Sequence, residues 1–221
     1  MEITDITEEQ FVFLMNYFSK EFENSRVIRE KQIPKIQLEQ RHVINCKLVL
    51  NRKHLLEELP KNAVVAEIGV NEGDFSESII EITKPRKLHL IDIWGTERFH
   101  DGLYQKVTNR FKAEIDEEKV EIHRKLSTTA VIDFEDNYFD WIYIDTDHSY
   151  ETTRDELFLF SKKMKIGGII TGHDYTLGNW VSTYRYGVIE AVHEFCMKFD
   201  WEIILLTIDP LENQSFAIRK I

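Results

Sequence analysis

DWIYIDTDHSYETTRDEL, residues 140–157, begins as a buried strand and ends as a helix. Trp141, Ile142, Tyr143 and Ile144 follow one another without a polar break, the texture of a strand covered on both faces. Asp145, Asp147 and His148 come within the next four positions. Such an ending has two readings. It is a polar loop that starts a helix, or an active site at the carboxyl end of a parallel sheet.

Four neighbouring stretches share the texture. They are NAVVAEIGV (62–70), RKLHLIDIWG (86–95), the more alternating KVEIHRKLS (119–127) and GGIITGHDY (167–175). Helical patterns over 74–82, 101–115 and 149–163 separate most of them. Short apolar runs alternating with helices predict an α/β fold, with a parallel sheet between two helical layers. The chain ends differently. WEIILLTI (201–208) and QSFAIRKI (214–221) are joined by a short turn, which predicts an antiparallel hairpin at the sheet edge.

The first sixty residues read as helical. TEEQFVFLMNYFSKEF (7–22) places Phe11, Leu14, Met15 and Phe18 at helical spacing, with Thr7 and Gln10 set for a capping box. A second apolar pattern over 36–59 stops at Pro60. The expected organisation is a helical extension over 1–60 and the main domain over 61–221. The extension is expected to pack on that domain with some pocket contact, or to serve as a cap or a homo-oligomer surface.

Bulk composition narrows the function classes. The 221 residues carry 28 Lys plus Arg against 39 Asp plus Glu, a net charge of −11. An acidic chain without a basic stripe is a poor partner for nucleic acid or for an anionic membrane. No apolar run approaches the roughly 20 residues of a membrane helix, and MEITDITEEQ is not a secretory signal. The expected home is cytoplasmic. Cys46 and Cys196 match no metal spacing and are expected to be reduced and structural.

EIGVNEGDFS (67–76) follows the first apolar run and opens a helix. Gly69 and Gly73 bracket a tight turn whose backbone can approach a ligand, beside a helix N-terminus. Asn71 stands where a dinucleotide fingerprint has its second glycine. Glu67 is an awkward neighbour for a pyrophosphate and a good one for a cationic ligand. Asp92 ends the second run about twenty residues on, where a carboxylate can take ribose hydroxyls. Together they describe a pocket for a nucleoside without a phosphate at its other end, and S-adenosylmethionine fits that description.

From about residue 62 onward the chain resembles the class I S-adenosylmethionine-dependent methyltransferases, in particular the macrocin and sugar O-methyltransferase branch. EIGVNEGDFS, LIDIWG, FDWIYIDTDHSYETTRDEL, GGIITGHDY and GVIEAVHEF carry the resemblance. It implies a Rossmann-like three-layer sandwich with a seven-stranded, mostly parallel sheet and an antiparallel last strand. It implies cofactor contacts at Glu67, Gly69, Asn71, Gly73, Asp92, Asp145 and Ser127, the last near the adenine. Trp94, Phe99, His100 and Tyr104 are placed to cover the cofactor.

Asp145 ends one strand, and His173 and Asp174 end the next, so the three can converge. The resemblance implies a divalent cation held there. Magnesium is the first expectation, and the imidazole admits manganese, iron or zinc. It also implies that His148 takes the proton from the acceptor hydroxyl, with Asp145 as its catalytic neighbour. Asp147 is expected to cap the following helix. Beside the site, TLGNWVSTYRYG (176–187) offers Trp180, Tyr184 and Arg185, with Tyr175 just before, to stack on a sugar or hold an anion. Glu190 and His193 read as surface positions. The expected reaction is O-methylation of a small polar acceptor such as a sugar or glycosylated metabolite. A non-methylating enzyme of the cephalosporin-hydroxylase-like branch and a cofactor-binding module without turnover stand as alternatives.

Overall fold

The computed structural model describes residues 6–179 and 184–221. Its centre is an eight-stranded sheet. In chain order the strands are β1 (Lys47–Val49), β2 (Val64–Ile68), β3 (Lys87–Asp92), β4 (Val120–Arg124), β5 (Phe139–Ile144), β6 (Met164–Gly172), β9 (Trp201–Thr207) and β10 (Phe216–Lys220). Between β6 and β9 lies a small ribbon of β7 (Gly178–Asn179) and β8 (Tyr184–Arg185). The spatial order is β1-β9-β10-β6-β5-β2-β3-β4. β10 runs antiparallel to both neighbours, and every other pairing in the sheet is parallel. The order reverses between β2 and β5, where the ends of the two strands open a crevice for a ligand.

Apolar side chains from alternate positions leave the two faces of the sheet for separate cores. Leu88 and Leu90 of β3 and Trp141 and Tyr143 of β5 go to one face. There they meet α2 (Arg52–Glu58), α3 (Asp74–Thr83) and α4 (Asp101–Arg110) through Leu55, Leu56, Ile79 and Val107. Ile91, Ile142 and Ile144 go to the other face, against α7 (Tyr150–Ser161) and α8 (Val188–Phe199) through Leu157, Phe160, Val192 and Phe195. This is the α/β sandwich, a mostly parallel sheet between two helical layers, that the alternating runs predict. The helical run over 101–115 is broken at Phe111 into α4 and α5 (Lys112–Asp116), and α6 (Ser127–Ala130) follows β4.

Two expectations change. The sheet has eight strands rather than seven, because Lys47–Val49 pairs in parallel with β9. The 36–59 pattern is therefore helical only in α2 and in a 3-10 turn at Gln40–His42. With β1 outside it, the β9–β10 hairpin is not at the edge. The second change concerns α1 (Glu8–Gln32). Thr7 and Gln10 form the capping box, but no residue of α1 is buried. Phe11, Met15 and Phe18 are exposed, each about half. The helix meets the domain at its end, where Glu30 pairs with Arg185 and the Arg29 guanidinium lies 4.6 Å from the Tyr184 ring centroid. Cys46 and Cys196 are both free. Among the described residues no helix is long and apolar enough to cross a membrane.

Candidate active site

The cofactor end is built around the turn after β2. Gly69 has φ 90°, and a Cβ there would lie 1.9 Å from the Asp145 carbonyl oxygen. Only glycine lets this turn cross the end of β5 so closely. Gly73 (φ 81°) caps α3. Asn71 is also left-handed, at φ 55°. Glu67 lies beneath, buried, and accepts from the Ser76 hydroxyl. Burial pushes its carboxyl up to about 8.

Asp92 holds the turn in place. One carboxylate oxygen accepts from the amides of Val70 (2.9 Å) and Asn71 (3.0 Å), and the other from Trp94 (3.1 Å). A carboxylate has about four acceptor positions, so three are taken by backbone. A ribose diol at Asp92 must share with these amides or displace them. Trp94 is not a cover for the cofactor. Its side chain is fully buried, and its indole N–H donates to the Asn71 carbonyl at 3.0 Å, which ties β3 to the turn from below. Ser127 opens α6, and its hydroxyl faces Glu156 rather than an open pocket. Glu156 is fully buried, accepts from Thr146 at 2.9 Å, and is pushed by burial up to about 7.

The second group of predicted site residues lies where β5 and β6 stop. His148 Nδ1 is 3.1 Å from Asp174 Oδ2. Both residues sit at left-handed φ, 62° and 56°, so two sharp turns aim them at each other. Asn213 donates to Asp174 at 2.6 Å. The Tyr186 ring lies 4.8 Å from the His148 ring, centroid to centroid. Burial lowers the His148 pKa against the opposing pull of Asp174 and Asp147. Burial, and then the Asp174 charge, push Asp145 up to about 7. The cap of α7 is Ser149 rather than Asp147, which braces it from outside the helix by accepting from the Ser149 amide (2.9 Å) and the Thr152 hydroxyl (2.9 Å).

Of the three residues predicted to converge, Asp145 and Asp174 do so, and they meet His148 rather than His173. Ligand atoms of Asp145, His148 and Asp174 lie within 4.8 Å of one another. His173 is turned away, with Nδ1 2.9 Å from the Ser215 hydroxyl, which in turn meets the Tyr143 hydroxyl at 2.9 Å. Parallel pairing brings His173 and Asp174 to the right strand end, but successive residues point in different directions.

Most of the predicted acceptor contacts are used elsewhere. Arg185 is buried and bound to Glu30, Glu190 and the carbonyls of Leu177 and Tyr186, so no free guanidinium is left for an anion. Tyr175 gives its hydroxyl to His193 (2.6 Å), whose Nδ1 meets the Ile36 carbonyl (2.9 Å). Glu190 is buried and His193 partly so, because the charge and the hydroxyl that bind them arrive from the 175–185 segment. Tyr184 lines a groove of about 750 Å³ between α1 and the β7–β8 ribbon, together with Phe22, Arg26, Leu177 and Asn179. Trp180 lies outside the described residues.

Arg52 was not legible as a site residue. It starts α2, pairs with Glu212 at 2.9 Å and lies 4.8 Å from the Phe75 ring centroid. Its charge is felt by Asp145 and Glu67. In sequence it is one arginine among many, far from every motif.

Residues 66–175, about half of the chain, match the family model described as a methyltransferase domain. No curated protein sequence matches at a significant level. Solved structures do. The pyocyanin biosynthetic protein PhzM aligns at TM-score 0.60 and 11% identity, over 78% of this chain and 55% of that one, so the chain spans about half of its length. A SAM-dependent methyltransferase from Aquifex aeolicus aligns at TM-score 0.56 and 13% identity, over 77% and 88%. A Streptococcus mutans protein solved with SAH aligns at TM-score 0.55 and 13% identity, over 77% and 96%. Identities this low show the fold, and the matched domain supplies the reaction class. The turn after β2 and the strand-end acids lie within the matched stretch, and the chain carries a methyltransferase domain at residues 66–175.

Proposed function

We propose that the enzyme methylates a hydroxyl of a small polar acceptor, a sugar or glycosylated metabolite, and that His148 removes the hydroxyl proton. The 3.1 Å approach of Asp174 to His148 Nδ1 carries the reading. A carboxylate on one ring nitrogen orients the imidazole and leaves Nε2 to accept a proton. His148 is mostly neutral at working pH because burial lowers its pKa. The sulfonium supplies an activated methyl group. The chain must align the acceptor oxygen with that methyl and exclude water. Tyr186 against His148 forms one wall.

A divalent cation is the second reading. Two carboxylates and one imidazole fit a hard or borderline cation, with Asp145 and Asp174 as its oxygen ligands. Such an ion would act as a Lewis acid on the acceptor oxygen. It would also hold Asp145 ionised, reversing the shift that burial imposes.

The test is transfer of labelled methyl from S-adenosylmethionine to a panel of sugar hydroxyls, with magnesium and with chelator. Turnover that disappears in His148→Ala while S-adenosylhomocysteine still binds supports the reading. Tight cofactor binding with no acceptor methylated anywhere in the panel would favour a binding module or the hydroxylase-like alternative.

A further inference from the structure

A second cluster of metal-ligating side chains stands apart from the methyl-transfer site. β3 and β4 pair in parallel, with His89 opposite Glu121 and Ile91 opposite His123. Alternation along a strand puts His89, Glu121 and His123 on one face of the pair. It is the face opposite Leu88 and Leu90, at the edge of the sheet, because β4 is the terminal strand. His89 is buried and His123 nearly so, while the Glu121 side chain is half exposed.

The geometry is compact. His89 Nδ1 is 3.0 Å from His123 Nε2. Glu121 Oε2 is 3.8 Å from His89 Nδ1, and Oε1 is 3.6 Å from His123 Nε2. One ligand atom from each residue lies within 4.8 Å of the others. Ligand atoms around a tetrahedral zinc, at about 2.0–2.1 Å from the metal, stand roughly 3.3 Å apart. The contact between the rings lies a few tenths of an ångström from that figure, and a turn of the Glu121 carboxylate would bring one of its oxygens toward both nitrogens. The other nitrogen of His89 is 3.0 Å from the Tyr138 hydroxyl. An N–H given to that oxygen fixes the tautomer and leaves Nδ1 with its lone pair toward the cluster, as metal-binding histidines require.

The surroundings agree. Phe134 lies against both imidazoles, at 5.0 and 5.1 Å between centroids, and Phe139 and Tyr138 pack on His89. This apolar wall keeps His89 buried and His123 nearly so. Lys87 pairs with Glu121 Oε2 at 2.9 Å and favours the ionised carboxylate, which leaves Oε1 for a metal. A histidine–histidine hydrogen bond alone accounts for the 3.0 Å contact. It does not account for a carboxylate placed against both rings.

We infer that His89, Glu121 and His123 form a binding site for a divalent transition-metal ion of the zinc class, open to solvent on one side. Two imidazoles and one carboxylate suit zinc and its first-row neighbours and disfavour magnesium and calcium. The ion would clamp the edge strand β4 to β3, whose last residue, Asp92, holds the turn after β2.

The test uses the metal-stripped full chain. Zinc chloride is titrated by calorimetry, and cobalt(II) is followed by its visible absorption. The expected result is one equivalent of zinc bound at the cluster and the intense visible bands of low-coordinate cobalt. Both are retained in a chain with Asp145→Ala and Asp174→Ala together. Glu121→Ala and His123→Gln should each weaken binding at least tenfold and remove the zinc-induced rise in melting temperature. Glu121 is exposed, so its variant will fold, and S-adenosylhomocysteine binding checks that it has. Zinc binding unchanged in both cluster variants, zinc binding lost only with Asp145 and Asp174, or no cobalt bands in the wild type would each overturn the assignment.

Discussion

His148 Nδ1 and Asp174 Oδ2 are 3.1 Å apart, although their residues come from different strand ends and each sits at a left-handed turn. Two strained turns aimed at one contact suggest a functional constraint. His148→Ala should lower kcat by roughly 10²–10⁴, the usual contribution of a positioned general base, and leave S-adenosylhomocysteine affinity within about threefold. The pH profile carries more information. The rate needs neutral His148, so it rises with pH through an apparent pKa below the ordinary ~6.5 of histidine, in the direction that burial sets. Asp174 pulls that pKa up. In Asp174→Asn the rising limb should therefore move to lower pH as kcat falls. A limb that stays in place or moves to higher pH would count against the pair.

Asp92 accepts three backbone amides, so its loss acts on the turn before it acts on a ligand. Asp92→Asn puts an amide nitrogen where one carboxylate oxygen accepted, and at least one backbone N–H loses its partner. Cofactor affinity should fall by tenfold or more, and stability should fall by roughly 1–3 kcal/mol, the cost of an orphaned buried donor. Calorimetry and urea denaturation read the two effects separately. Weakened binding at full stability would show that the ribose, and not the turn, is the main partner of Asp92.

What the sequence made legible divides along a physical line. Period-two and period-3.6 patterning gave the parallel strands, the helices on both faces and the terminal hairpin, because each is decided by which residues bury. Gly69, Gly73, Asp145, His148 and Asp174 were legible because strand ends in an open sheet gather at one edge. Side-chain direction beyond a strand end was not. His173 and Asp174 are adjacent, and only the backbone turn at Asp174 decides which one meets His148. Long-range charge pairing was also hidden. Arg185 reads as free beside an acceptor pocket, but its partners Glu30 and Glu190 lie on separate helices. β1 was missed because three residues, Lys47–Val49, are too few to show a period.

Gly69 is a geometric requirement. A Cβ at that position would meet the Asp145 carbonyl at 1.9 Å, and the backbone angle is one that side chains rarely adopt. Gly69→Ala should cost roughly 1–3 kcal/mol from backbone strain alone. It should also push the turn off the end of β5 and weaken the cofactor more than tenfold. Gly167, also at positive φ but with nothing within 4 Å of the added Cβ, is the control. Gly167→Ala should cost stability by strain only and leave cofactor affinity unchanged in the same titration.

Arg185 joins three elements: Glu30 of α1, Glu190 of α8 and the carbonyls around the β7–β8 ribbon. Its side chain and that of Glu190 are nearly inaccessible, at 5% and 8% exposure. Removing one member of a buried pair leaves the other charge unpaired, at a cost of about 3–5 kcal/mol. Arg185→Ala should lower the denaturation midpoint accordingly. It should also free the end of α1, seen as new proteolysis in the 8–32 region. Replacing both Arg185 and Glu190 with apolar residues should recover part of that stability. If Arg185→Ala instead left stability intact and raised KM for an anionic acceptor, the arginine would belong to the acceptor site after all.

Glu67 makes stability depend on pH in the direction opposite to that of an ordinary salt-bridged carboxylate. Burial raises its folded-state pKa to about 8, whereas in the unfolded chain it titrates near ~4.3. Between those values the folded state holds a proton that the unfolded state has released. The slope of unfolding free energy with pH is then negative. The contribution of this group is complete below about pH 4 and is lost as pH rises toward 8. Asp145, raised to about 7, adds to the same trend. Glu67→Gln removes the titration and keeps an acceptor for the Ser76 hydroxyl. The wild type should therefore lose several °C of melting temperature between pH 5.5 and pH 8, and the variant should lose clearly less. Parallel curves for the two proteins would mean that Glu67 is ionised in the fold, with a cationic partner beyond Arg52 holding it so.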